Sequence, residues 1–171
     1  MQRKTYRYDL IGYDSYFESA FPEIEGILAE TLGDDEGHFL IAINEAVCNA
    51  AKYAVEGDEK AAIRIELLVT DDDVTAAVAC LTKPFDAEGY RQDLRRLASK
   101  NKKLTWSDYT GDSERSRGFW LMLMAVDFLY IATDGNRISL NVSRPWKKET
   151  ATKLIGDLVP RFFVEKNGVI Y

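Results

Sequence analysis

The sequence predicts an α/β fold, a two-layer sandwich with a mostly antiparallel mixed sheet and helices on one face. Three observations predict it. Short runs rich in β-branched and aromatic residues alternate with segments whose apolar residues recur at helical spacing. Tight polar turns, Thr70 to Asp73 and Asp134-Gly135-Asn136, join two pairs of the strand-like runs, as antiparallel hairpins require. The stretch Phe39 to Ala54 (FLIAINEAVCNAAKYA) is apolar on nearly all sides, which places a helix inside the domain.

In chain order, Thr5 to Ile11 mixes aromatic and polar residues and reads as a strand at a sheet edge. Gly12-Tyr13-Asp14 turns the chain, and Asp14 or Ser15 caps a helix running to about Leu32. Its apolar face is Phe17, Phe21, Ile24, Ile27 and Leu28, and Pro22 predicts a kink or a short first segment. Gly33-Asp34-Asp35 separates it from the helix that contains Phe39 to Ala54. Ala61 to Val69 and Val74 to Leu81 form a hairpin. Asp86 to Ser99 is helical in pattern, with Tyr90, Leu94 and Leu97 on one side. Asn101 to Gly118 is polar and irregular, a loop of the length that usually serves function. An apolar helix from Gly118 to about Val126 precedes two more strands, Phe128 to Ala132 and Arg137 to Val142. Pro145 marks a boundary. Beyond it, Lys147 to Leu158 reads as an amphipathic helix, and Arg161 to Val164 with Val169 to Tyr171 as a short hairpin.

The 171 residues suffice for one domain with a real core, and 46% hydrophobic against 29% charged residues is a globular composition. Twenty-two basic against 28 acidic residues give a net charge of −6. That balance argues against general nucleic-acid or membrane-surface binding. Cys48 and Cys80 lie in apolar segments, so free thiols in a reducing cytoplasm are expected. One histidine and two separated cysteines build no Cys/His zinc site. The polar N-terminus lacks the apolar core of a signal peptide, and no apolar run reaches membrane-spanning length.

On the otherwise apolar helix, Glu45, Asn49 and Lys52 fall at i, i+4 and i+7 and share one face, which His38 extends. A carboxylate there is costly unless it is paired, solvated in a pocket or bound to a cation, so the stripe is expected to line a cavity. Glu45 can accept a proton, and Asn49 offers a carbonyl oxygen to a hard cation.

The run Ile43 to Ala54 resembles the N-box of GHKL-type ATPases. Its nearest likeness is the anti-sigma-factor serine kinases of bacterial partner-switching systems, whose box reads roughly N-E-A-x-x-N-A-x-x-H-A. Ser116 to Asp127 (SRGFWLMLMAVD) is similar to the G-R-G-L-x-L-…-M-D segment of the same family. The resemblance covers about Thr5 to Arg144. It implies a domain over residues 1–145 that binds ATP and Mg²⁺; residues 146–171, the helix and hairpin read above, lie outside it as an extension. It implies Asn49 as metal ligand and Glu45 as the base that polarises a water or a partner's serine hydroxyl. Arg117, Gly118 and Phe119 would cradle phosphate with their backbone amides, and Lys52 is a candidate at the rim. The loop from Asn101 to Ser116 would be the lid over the nucleotide, with Lys100, Lys102 and Lys103 near phosphates.

The adenine-binding box, D-x-G-x-G-F-D in the family, falls on Cys80 to Asp86, where only Phe85 and Asp86 match. Cys80 stands for the aspartate that accepts the adenine amino hydrogen. Thr82 and Pro84 replace its glycines, Ser116 the first glycine of the second box, and Tyr53 the N-box histidine. Two readings follow, beside a third, a detached histidine-kinase ATPase domain, which the position of the only histidine, His38, inside the domain counts against. One is an anti-sigma regulatory serine/threonine kinase that binds a sigma factor and phosphorylates a small antagonist protein. The other is a non-catalytic module that keeps the fold and has lost ATP recognition. The resemblance also implies a homodimer.

Overall fold

The computed structural model describes residues 3–33, 36–110, 117–144, 154–166 and 169–170. Strand β1 (Lys4–Ile11) leads into a π turn over Tyr16–Ala20 and then helix α1 (Phe21–Leu32). Pro22 sits in the first helical turn, where its missing N–H costs nothing, so the predicted break falls just before it. Helix α2 (Glu36–Lys52) follows. Strands β2 (Ala62–Val69) and β3 (Asp73–Ala79) form the predicted hairpin, closed by Thr70 N–H donating to Asp73 O at 2.9 Å. Helix α3 (Ala87–Lys100) starts at Asp86, whose carboxylate accepts from Gly89 N at 2.9 Å as an N-cap.

Helix α5 (Arg117–Ala125) and strands β4 (Phe128–Ala132) and β5 (Arg137–Ser143) complete the predicted order. The β4–β5 turn needs Gly135, with φ of 78° and Phe85 Cβ 2.8 Å from where a side chain would begin.

The stretch expected to be irregular holds a short helix, α4 (Trp106–Thr110). Thr105 and Asp108 exchange bonds at its start: Thr105 N and Oγ1 donate to Asp108 Oδ2, and Asp108 N donates to Thr105 Oγ1. This is a capping-box arrangement. Trp106 anchors the helix, its ring buried against Tyr109 and Phe119.

Among the described residues the sheet has seven strands in the order β1-β2-β3-β5-β4-β6-β7, with β6 at Phe162–Lys166 and β7 at Val169–Ile170, antiparallel except where β6 runs parallel to β4. Alternation along the strands buries Ile63, Ile65, Leu67, Val74, Ala76 and Leu140 on one face, beneath the helices. The other face carries Arg7, Asp9, Arg64 and Glu66. This is the predicted two-layer α/β sandwich.

The segment beyond Pro145 joins the same sheet. Of the helix expected over Lys147 to Leu158, the described part is α6 (Ile155–Leu158); residues 145–153 lie outside the described residues. Strand β6 pairs Leu129 with Phe162 and Ile131 with Val164, and β7 (Val169–Ile170) closes the expected hairpin.

Candidate functional site

Helices α2 and α5 pack side by side, and the site lies where the polar stripe of α2 meets the start of α5. Glu45 and Asn49 are half-buried, between the buried pairs Ala46–Val47 and Ala50–Ala51. A Cβ at Gly118 would lie 2.3 Å from Glu45 Oε2 and 3.8 Å from Asn49 Nδ2. The glycine therefore admits the carboxylate and the amide to the first turn of α5, where backbone N–H groups point outward. Arg117, at the head of that turn, is exposed. Phe119 turns its ring the other way, into a cluster with Tyr90, Trp106 and Phe162 at centroid distances of 5.2, 6.0 and 5.1 Å. Only its backbone faces the site.

Burial, and after it the charge of Glu45, raises the Cys48 thiol above its ordinary pKa. The Tyr13 phenol is raised by burial first, then by Cys48 and Glu45. The Glu45 carboxylate thus lies close enough to Tyr13 and Cys48 to raise both groups. Beside it, Tyr16 OH donates to Asn44 Oδ1 and fixes the flank of α2 against the π turn. Asn44 opens the N-box-like run and Tyr13 sits in the first turn, but no motif marked Tyr16 or gave Tyr13 or Asn44 a role in the site. Their contacts cross from one element to another.

The remaining stripe residues lie apart from that point. Lys52 is exposed, its Nζ 5.6 Å from the Tyr53 ring centroid in a cation–π contact. His38 is exposed near the start of α2. Ile41, on the same helix, is 47% exposed, so α2 is less enclosed than its composition predicts. Lys100, Lys102 and Lys103 are exposed between α3 and α4, and Ser116 lies outside the described residues.

Cys80 is 8% exposed at the end of β3. Burial raises its thiol pKa, so it stays neutral, and its Sγ lies 3.8 Å from Leu81 O. The loop after it is stitched down on both sides. Thr82 N donates to Asn136 Oδ1 at 2.9 Å, Cys80 N to Asn136 O at 3.0 Å, and Lys83 N to Tyr53 O at 2.8 Å. Asn136 is a second residue that the sequence marked only as part of a turn.

An open sheet with a Glu/Asn-bearing helix laid against a glycine-headed helix is the architecture of a GHKL-type ATPase domain. The family model for the histidine kinase-like ATPase domain matches residues 20–142, and the chain belongs to that family. A search of curated proteins returned no match.

ATP and Mg²⁺ are the groups this family implies. The outward amides at the start of α5, with the Glu45 carboxylate and the Asn49 side-chain amide beside them, suit a phosphate–metal pair. Among the described residues no group of three or more His, Cys, Asp or Glu is placed to hold a metal ion. No described helix is long and apolar enough to cross a membrane.

Proposed function

We propose that the chain is a nucleotide-dependent protein serine/threonine kinase of the anti-sigma regulatory type, acting on a small antagonist protein and binding a sigma factor. The observation that carries this reading is the convergence of Glu45 and Asn49 on Gly118. Bound Mg·ATP would supply a phosphoryl group whose charge the metal offsets. Asn49 would hold the metal through its side-chain oxygen. The first-turn amides of α5 and the Arg117 guanidinium would orient the phosphates. Glu45 would accept the proton of the attacking serine hydroxyl at its carboxylate oxygen.

The test is calorimetric titration with a slowly hydrolysed ATP analogue and Mg²⁺. Binding near micromolar, about −8 kcal/mol, is expected in the parent and at least tenfold weaker binding in Asn49→Ala. Equal affinity in the two would remove the metal role of Asn49. Glu45→Gln is expected to keep nucleotide affinity while ATP turnover falls by roughly 10²–10⁴. Unchanged turnover would exclude Glu45 as base.

A second reading rests on the adenine box. A buried neutral thiol at Cys80 is a poor acceptor for an amino group. Pro84 adds a ring where the family has a glycine. A chain that binds no nucleotide at millimolar concentration would be a protein-binding module that has kept the fold.

A further inference from the structure

Helix α2 carries the half-buried Glu45 carboxylate between two unlike flanks. At about 100° per residue, Asn49 lies about 40° to one side of Glu45, while Ile41, Cys48 and Asn44 lie about 40°, 60° and 100° to the other. The Asn49 flank meets α5, where Gly118 approaches both Glu45 and Asn49. The opposite flank meets the π turn and the residues before it. Tyr16 OH donates to Asn44 Oδ1, and Tyr13 is close enough to Cys48 and Glu45 to feel both.

This second flank is apolar and open. The Phe17 ring stands 5.1 Å from the rings of both Tyr13 and Tyr16, yet Phe17 is 44% exposed. Ile41, one helical turn before Glu45, is 47% exposed. Large apolar side chains left open beside a half-buried carboxylate favour contact with another polypeptide. The charges nearest Cys48 are Glu45, Lys52 and Asp58, two acidic against one basic, so an acidic occupant is disfavoured.

We infer that, in the phosphoryl transfer proposed above, the acceptor serine enters over the Tyr13, Phe17 and Ile41 flank, and that Phe17 and Ile41 select an aliphatic side chain next to that serine. The inference rests on the kinase reading and names the acceptor for it. In-line displacement puts the attacking and leaving oxygens on opposite sides of the transferred phosphorus. With the phosphates on the Gly118 and Asn49 flank, the attacking hydroxyl belongs on the other, and Glu45 lies between them. The serine Oγ bonds the γ-phosphorus as the bond from that phosphorus to the β-phosphate oxygen breaks. The hydroxyl proton passes to Glu45, and ADP leaves. Water as the acceptor would need no apolar rim.

The probes are synthetic Gly/Ala peptides with one serine followed by Leu, Glu or Lys, incubated with the full chain, Mg²⁺ and γ-labelled ATP. A kcat/KM at least tenfold higher for the Leu peptide than for the other two is expected. Ile41→Ser and Phe17→Ser should each raise the KM for the Leu peptide at least fivefold, with kcat and ATP affinity within twofold of the parent. That split marks lost acceptor binding, whereas a structural role that displaced Glu45 would lower kcat. Ile41 makes none of the ring contacts that Phe17 makes, so Ile41→Ser tests the flank even where Phe17→Ser melts early. Equal transfer to the three peptides, an unmoved KM in Ile41→Ser, or ATP hydrolysis with no labelled peptide would each overturn the inference and leave nucleotide binding in place. Absence of Mg·ATP binding by calorimetry would instead overturn the kinase reading, and the inference with it.

Discussion

A methyl group added at Gly118 would lie 2.3 Å from Glu45 Oε2, and two effects then compete. Glycine to alanine within a helix gains about 0.5–1 kcal/mol of propensity. Against that, the carboxylate must move, which is cheap for the far end of a flexible side chain. Stability should therefore hardly change while the site loses its geometry. Gly118→Ala is expected to keep the melting temperature within a few degrees and lose more than tenfold in ATP turnover. Parental turnover would mean the close approach has no catalytic role. Glu45 and Asn49 were legible in the sequence because helical period is local: four residues apart is one face. Their meeting with Gly118 was legible only through the likeness of two separate motifs. The Tyr16–Asn44 bond was not legible at all, because nothing in a tyrosine's neighbours says which distant amide its hydroxyl will reach.

Elements follow the same division between local and distant signals. Strands β2 and β3 show their alternation and their turn within the one continuous run from Ala62 to Ala79, so the hairpin could be read directly. Helix α4 was hidden because its five residues are too few for periodicity. The local cue was the Thr105/Asp108 spacing, with Trp106 between them. The edge strand β1 depends on a contact beyond local reach, Asp9 held by Arg64 and Arg7. Hydrogen bonds from Arg64 and then Arg7 lower the Asp9 pKa below its ordinary 3.8. A carboxyl whose pKa is depressed by folding stabilises the fold above its unfolded pKa, and that stabilisation is lost as pH falls through the folded value. The Asp9→Asn substitution should thus lower the urea midpoint slightly near neutral pH. The difference from the parent should vanish as pH drops below 3.8 and shrink in high salt. A difference that persists in acid would assign the effect to packing.

At the scale of the whole molecule, the family match ends at residue 142 while the core continues to Val164. Strand β6 lies against β4, Ile155 N donates to Leu104 O at 3.0 Å, and Thr105 bridges Leu154 at the base of α4. Arg161 Nη1 donates to Leu123 O in the last turn of α5 and to Val126 O just beyond it, at 3.5 and 3.4 Å. The sequence showed these segments as a strand and a helix. It could not show their place, because a parallel pairing leaves no turn between the partners to read. Phe162 is fully buried, with its ring 5.1 Å from that of Phe119, next to Gly118. The Phe162→Ala substitution should cost about 3–5 kcal/mol. At about 2–4 °C per kcal/mol for a chain of this size, the melting temperature should fall by roughly 6–20 °C. The transition should stay single, since extension and domain share one sheet and one core. An independent appendage would instead melt in its own earlier step and leave the main transition where the parent has it. Differential scanning calorimetry separates the two outcomes. The first also makes the extension part of what holds Phe119, and so the first turn of α5, in place beneath Glu45.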